Sequence, residues 1–489
     1  MKTKTRSSES TVLRALRQGE FTLSLRHVGF GLHLTWIYVC FYSAVLYAPW
    51  GGGIERTHVF YFHSLIFAVV VLLLTTLVAS RYFPLIHRDT LLGLGVLAGF
   101  AGPLLEAISQ GVALNSLLVS LLAASLTGVG AAWPLIMWGE YYSSIPIKRG
   151  GIYICLSYLF AVATYFLLTS MEARVALATA VLLPFLSGAL LLLDREEVCD
   201  EIPAGTPAGR RRFPIPPKIV LGLVLYSGLW GLFRGLTRPG TGLYLMDGSG
   251  LALIGVGVMS LLLAGGLLLS SKDLDLGLTY RPVLPLMAAG FLLLPVLAEG
   301  HGVLAFAVIR AGHTLFEILV WILLADIAFR GRIAGARVFG WGKATMYGSI
   351  LAGVLLARAI APGEPLTPSQ VNTLSLVTVY IMLTSTMFIL NERGVSGSWA
   401  VSSVGRTGNT VEAFGCASGL TPREVEVLEL LVRGRSLPYI QSNLHVSQGT
   451  AKTHVSSIYR KLSVCSRQEL LDVVEQQGVT DTHSAGSTA

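Results

Sequence analysis

The sequence predicts an all-α protein in two parts: a polytopic membrane bundle of about twelve helices, in two six-helix halves, and a small four-helix domain at the C-terminal end. Three observations predict it. Hydrophobic residues make up 53% of the 489 and charged residues only 13%, with a mean hydropathy of +0.65, so lipid is the main solvent. Apolar runs of spanning length recur along most of the chain. From Leu420 onward the pattern changes to the short amphipathic helices of a soluble bundle.

The first 26 residues are a basic tail expected inside the cell, with Lys2, Lys4, Arg6, Arg14, Arg17 and Arg26. The apolar run that follows lacks a small-residue cleavage site, so it is expected to stay as the first helix. A bilayer core about 30 Å thick needs about 20 apolar residues per helix. Such runs fall near 27 to 48, 58 to 79, 90 to 108, 114 to 138, 150 to 170, 174 to 193, 218 to 236, 250 to 270, 282 to 298, 303 to 326, 338 to 360 and 371 to 391, the third and ninth with the weakest signal. Lysine and arginine gather in the loops on the side of residue 1, among them Arg81, Arg88, Lys148, Arg149 and Arg210 to Arg212, whereas the opposite side holds few, such as Arg56, Arg174 and Arg238. That bias places both termini in the cytoplasm of a cell (inner) membrane protein. The net charge of +8 therefore reports orientation before it reports any partner.

The longest internal loop, 194 to 217, divides the spans into halves 27 to 193 and 218 to 391. Helix number and loop placement resemble the major facilitator superfamily, in which two six-helix halves face a central cavity. The loops that carry that family's glycine-rich signature read RYFPLIHRD and SSKDLDLGLTYR here, keeping charge but not the glycine pattern.

Residues 392 to 418 are rich in Gly, Ser and Thr and read as a flexible linker, with an end-to-end reach on the order of 30 Å. The soluble domain then spans 419 to 478, before a tail at 479 to 489 expected to be disordered. Thr421, Pro422 and Glu424 form a capping box with proline at the first helical position. A second helix is predicted at 437 to 443, a third at about 448 to 462 capped by Ser447, and a fourth opening on the box at Ser466 to Glu469. On the third, Ala451, Val455, Ile458 and Leu462 form the buried stripe, while Lys452, Thr453, Ser456 and Arg460 point outward. Such a face offers donors to base edges and phosphates in a major groove.

The stretches LTPREVEVLELLVRG, LHVSQGTAKTHVSSIYRKLSV and SRQEL resemble the LuxR/GerE-type helix-turn-helix domain over about 60 residues. The resemblance implies a bacterial transcription regulator that binds double-stranded promoter DNA, as a homodimer on two half-sites. It implies groove contacts by Lys452, Thr453 and Ser456, a phosphate or capping role for Thr450, and backbone contacts by Arg460 and Arg467. Leu437, Pro438, Tyr439 and Gln441 depart from the usual polar and small residues of the second helix. His454 reads as a packing or capping residue, and Lys461 as the partner of a glutamate in the first helix.

Charges at membrane depth are costly and mark function or helix register. Arg310, His313 and Glu317 share one face of the tenth span, with Lys343 in the eleventh and Glu106 in the third. The facilitator resemblance adds His33, Trp36, Trp133, Tyr226, Trp230 and Arg234, because helices one, four, seven and ten line that family's cavity. Two readings stand. Arg310 and Glu317 form a buried polar contact that fixes register; or Arg310, with Lys343, binds an anionic or aromatic small molecule beside Trp36, Trp230, Arg234, His313 and Glu317. The Gly93-x-Gly95 stretch reads as close helix packing, since no strand precedes it.

These elements point to a one-component sensor, in which a ligand in the membrane domain alters a cytoplasmic DNA-binding domain. The alternative is a facilitator-type transporter with a DNA-binding regulatory tail. No receiver domain precedes Leu420, which argues against control by aspartyl phosphorylation. The five cysteines are scattered without C-x-x-C spacing, and no nucleophile with a base at useful spacing is present, so neither metal, cofactor nor enzymatic chemistry is expected.

Overall fold

The computed structural model describes residues 25–52, 57–82, 85–112, 117–194, 214–236, 249–269, 283–297, 302–331, 333–361, 367–389 and 418–432, and, further on, 440, 441, 444, 447–462, 464, 469 and 470. Among them, helices α1 (Gly29–Tyr42), α2 (Thr57–Tyr82), α3 (Asp89–Gly111), α4 (Leu117–Ser143), α5 (Ile147–Thr169) and α6 (Ala173–Asp194) form a first half. A second half holds α7 (Pro217–Leu236), α8 (Ser249–Leu269), α9 (Val283–Leu297), α10 (Gly302–Gly331), α11 (Gly335–Ile360) and α12 (Pro368–Ile389). The chain divides into two compact units, 1–391 and 392–489. The second contains α13 (Pro422–Val432) and α14 (Gln448–Lys461).

Every predicted span overlaps one of the twelve helices described in this unit. Nine of the described helices are long and apolar enough to cross a membrane. The first departs most from its predicted run: α1 has 14 residues, because the chain breaks at Ser43 and reaches a short 3-10 turn at Ala48–Trp50. Pro49 sits inside that turn and Gly51 closes it in the left-handed region, at φ 73°. The third span is a full 23 residues, opening at Asp89, whereas the ninth keeps only 15.

The distribution of side chains is the reverse of a water-soluble protein. Leu74, Leu77, Leu118, Leu262 and Tyr380 stand exposed on the outside, while Glu106, Glu140, Arg234, Arg310, Asp326 and Lys343 are buried within. An apolar exterior around a charged interior is stable only where lipid is the solvent. The protein is a multi-pass membrane protein.

Packing repeats between the halves. α1 lies against α5 and α6, α2 against α4, and α3 against α4 and α6; six helices later, α7 lies against α11 and α12, α8 against α10, and α9 against α10 and α12. Across the divide the pairs are reciprocal: α2 with α11 and α5 with α8, then α4 with α11 and α5 with α10. That pattern is a pseudo-twofold repeat of six helices. One close crossing is α7 on α11, where a Cβ added at Gly231 or Gly353 would collide with the carbonyl of Ile350 or of Gly228. Small residues let these backbones touch, as membrane helices without a hydrophobic drive require.

In the second unit Val427, Leu428, Ile440, Ala451, Ile458 and Leu470 are buried in one core, with Val455, Tyr459 and Leu462 half-buried against it. The predicted second helix and the Ser466 to Glu469 box fall largely outside the described residues; Ile440, Gln441 and Leu444 are helical.

Candidate DNA-binding face and membrane cavity

The start of α13 fixes the soluble domain. The Thr421 N–H donates to Glu424 Oε2 at 2.8 Å, and the Glu424 N–H donates back to Thr421 Oγ1 at 3.3 Å, which closes the predicted capping box. Glu424 also receives Lys461 Nζ at 2.7 Å and Ser457 Oγ at 2.6 Å, both from α14. One carboxylate therefore caps the first helix and clips the third to it. The bonds from Lys461, Ser457 and Thr421 hold its pKa down at about 2. Lys461 is bound as expected, and it also donates to the Gly419 carbonyl at 3.1 Å.

On α14, Ser447 caps the helix through its hydroxyl, which accepts the Thr450 N–H at 3.2 Å and meets Thr450 Oγ1 at 2.8 Å. Ala451 and Ile458 are fully buried. Thr450, Lys452, Thr453, Ser456 and Arg460 are all exposed, whereas His454 is half-buried. Thr453 spends its hydroxyl proton on the Gly449 carbonyl at 2.9 Å, leaving the oxygen's lone pairs outward. The result is a rigid helix whose outer face carries two cations and three hydroxyls, with the positive end of its dipole at Thr450. Arg467 and Leu437 to Tyr439 lie outside the described residues.

The membrane unit holds a cavity of about 80 Å³ between its halves. Its walls come from α1, α2, α4, α7, α10 and α11. Near one end Arg310, 4% exposed, donates from Nη1 to Tyr42 Oη at 2.7 Å, with its guanidinium 4.3 Å from the centre of the Tyr42 ring and 5.2 Å from that of Trp230. No carboxylate pairs with Arg310 among the described residues. Contacts with ring faces stabilise a desolvated cation by about 2 kcal/mol, against a burial cost of several. Away from Arg310, Phe30, Trp321 and Phe339 meet in tilted contacts, with centroids 4.4 and 4.8 Å apart.

The model for "Bacterial regulatory proteins, luxR family" matches residues 418–474. The chain is 42% identical over 50 residues to the spore germination protein GerE of Bacillus subtilis, a stretch covering 10% of this chain and 68% of that protein. The chain belongs to the luxR family. This luxR-family protein is also 37% identical over 59 residues, 12% of its length, to the uncharacterized transcriptional regulatory protein YvfU of Bacillus subtilis, spanning only 30% of that relative. Its membrane unit is similar in fold to the crystal structure of a bacterial homologue of the iron transporter ferroportin in an outward-facing state, at 17% identity. That likeness has a TM-score of 0.51 and covers 78% of this chain and 98% of the other. A helical body similar in fold to that transporter homologue and a luxR-family domain are thus joined in one chain.

Of the residues singled out in the membrane half of this luxR-family protein, Trp230, Arg310, His313, Glu317 and His33 line the cavity. Trp36 lies beyond the wall, stacked on His33 at 5.6 Å. Tyr226 stacks on Phe316 at 5.2 Å, and Trp133 donates to Thr75 Oγ1 at 3.0 Å, both away from the lining. Arg234 lies over the rings of Tyr61 and Tyr42, at 3.9 and 4.5 Å, and donates to the Phe41 carbonyl, behind residues that do line it. Glu106 receives Tyr47 Oη at 3.3 Å on a separate side of the first half.

One expectation is corrected. Glu317 pairs not with Arg310 but with Lys343 of α11, at 3.4 Å, and Lys343 also sits 4.6 Å from the centre of the Trp321 ring. Sharing a face of α10 brings Arg310 and Glu317 to the same cavity, but they lie two turns apart along it, and the cation that reaches Glu317 comes from the neighbouring helix. Lys343 is thereby engaged outside the lining. The polar groups that sequence reasoning missed are Tyr38, Tyr42, Tyr61 and Ser64, which α1 and α2 bring to the cavity lining.

Proposed function

We propose that this protein is a membrane-bound one-component transcription regulator: its membrane body senses a small molecule, and α14 binds promoter DNA as part of a homodimer. The observation that carries the proposal is the exposed row Thr450, Lys452, Thr453, Ser456 and Arg460 on the third helix of a luxR-family domain, in the same chain as a helical body with a cavity. A helix of this kind reads base edges with residues near its N-terminus, here Lys452, Thr453 and Ser456. Thr450 at the dipole end and Arg460 one face down contact phosphates, as does Arg467.

Both termini are cytoplasmic in the inner membrane, a placement supported by the basic loops on the side of residue 1. The segment 392 to 418 acts as a tether for the domain at 419 to 478. Ligand binding shifts the two halves, and the shift changes dimerisation or exposure of the domain.

Genome-wide DNA capture with the intact, membrane-embedded chain tests this proposal. Discrete promoter peaks are expected for the wild type, and their loss in a Lys452→Ala, Thr453→Ala double variant of equal abundance. Capture spread evenly over the genome would end the proposal.

A further inference from the structure

We infer that the cavity binds a small organic monoanion, a flat ring carrying one carboxylate, with the carboxylate on Arg310. The inference rests on the reading of the membrane body as a sensor and names the ligand class for it.

Charge comes first. Among the groups that reach the cavity wall, Glu317 is matched by Lys343. Arg310 touches a tyrosine hydroxyl and ring faces, while Glu317, two turns along α10, acts on it only at a distance and is paired directly with Lys343. A guanidinium held at membrane depth against neutral partners is stabilised by any anion that can reach it, and its planar fork suits a carboxylate. Arg234, on the other contact of the Tyr42 ring, is turned to the Phe41 carbonyl and stays outside the lining, so one guanidinium faces the cavity and calls for one negative charge.

Size comes second. A water needs roughly 10–15 Å³ of such space, so about 80 Å³ has room for a molecule of a single ring and its substituents. The walls set the shape. Phe30, Phe41, Tyr61, Trp230 and Trp321 present ring faces and edges, which favour a flat unsaturated body.

The remaining polar atoms point the same way. His313 at both ring nitrogens, Tyr38 at its hydroxyl and Ser64 at its hydroxyl have no hydrogen-bond partner among the described residues, although each residue is at most 2% exposed. All three line the cavity. Buried polar groups are rarely left unmatched, and a polar ring substituent such as a hydroxyl would engage them.

The test uses the full chain in lipid nanodiscs, with 4-hydroxybenzoate as probe and its neutral isostere 4-hydroxybenzamide as control, read by tryptophan fluorescence. The acid is expected to bind about tenfold more tightly than the amide in the wild type, because only the acid forms a charge-assisted pair. In Arg310→Gln, checked for wild-type melting without probe, the two should bind alike. The inference is overturned if wild type takes the amide as well as the acid, if it takes neither at millimolar concentration, or if Arg310→Gln keeps the preference. Should the variant not fold, the acid and amide comparison in wild type still decides. Promoter occupancy, measured on the same nanodiscs with and without the acid, separates the two ideas: a preference for the acid without change in occupancy upholds the ligand class and removes the sensor role.

Discussion

At the scale of single residues, two of the ion pairs among the described residues do different work. Glu424 is tied at once to Thr421, Ser457 and Lys461, so Glu424→Ala removes a cap and a clip between helices. A loss of about 1.5–3 kcal/mol is expected, the range for hydrogen bonds to a charged group, read by urea melts of residues 392–489, which pack as their own unit. Because the folded pKa, about 2, lies below the ordinary 4.5, the contribution is complete above roughly pH 4.5 and disappears as pH falls through 2. An acid limb unchanged by the substitution would show that Glu424 carries no such linkage. Lys343 poses the opposite case: the pair with Glu317 adds little beyond what an apolar pair would, but removing one partner strands the other inside the helical bundle. Lys343→Met should cost about 3–5 kcal/mol, seen as a lower melting temperature in detergent, and adding Glu317→Gln should recover most of it. A single variant as stable as wild type would mean that Glu317 is not held charged by Lys343.

Elements decide how a residue is presented, and α14 shows it most directly. Its buried stripe and outward face follow from a 3.6-residue period alone, and the expectation that Lys461 turns back to α13 follows from the last turn of the same helix. Two phosphate or base contacts should then separate by salt. Arg460→Ala is expected to weaken binding to all sequences alike and to reduce the dependence of log K on log salt by about one unit of slope, whereas Lys452→Ala should cost about 1–3 kcal/mol and relax discrimination at one position. Gel shifts at several salt concentrations read both; equal losses on promoter and random DNA for both variants would remove Lys452 from base recognition. The membrane helices were legible for a related reason, since twelve apolar runs admit little but twelve helices. What escaped is which faces meet. Spacing puts Arg310 and Glu317 on one side of α10, but only the crossing of α11 brings Lys343 to the carboxylate. The mean orientation of α1 likewise turns Tyr38 and Tyr42 toward the cavity and leaves Trp36 behind it, a rotation that an all-apolar helix does not encode in its pattern.

For the whole molecule, the question is whether two six-helix halves can move and so signal. Reciprocal pairs α2 with α11 and α5 with α8 form the divide, while aromatic contacts of Phe30, Trp321 and Phe339 join the halves. Rearrangement in such a body is a rocking of one half against the other, so a covalent tie across the divide should arrest it. Val162 of α5 and Gly257 of α8 offer the place: a Cβ built on Gly257 lies 3.9 Å from Val162 Cβ, within the about 3.5–4.5 Å that a disulfide needs. The pair Val162→Cys with Gly257→Cys, in a chain whose native cysteines are replaced, should leave promoter occupancy fixed when oxidised, whatever effector is added. Reduction should restore the response, and each single cysteine variant should respond throughout. Because the tie touches neither the cavity lining nor α14, occupancy that still follows the effector in the fully oxidised pair would mean that the signal reaches the DNA-binding domain by a route other than relative motion of the halves.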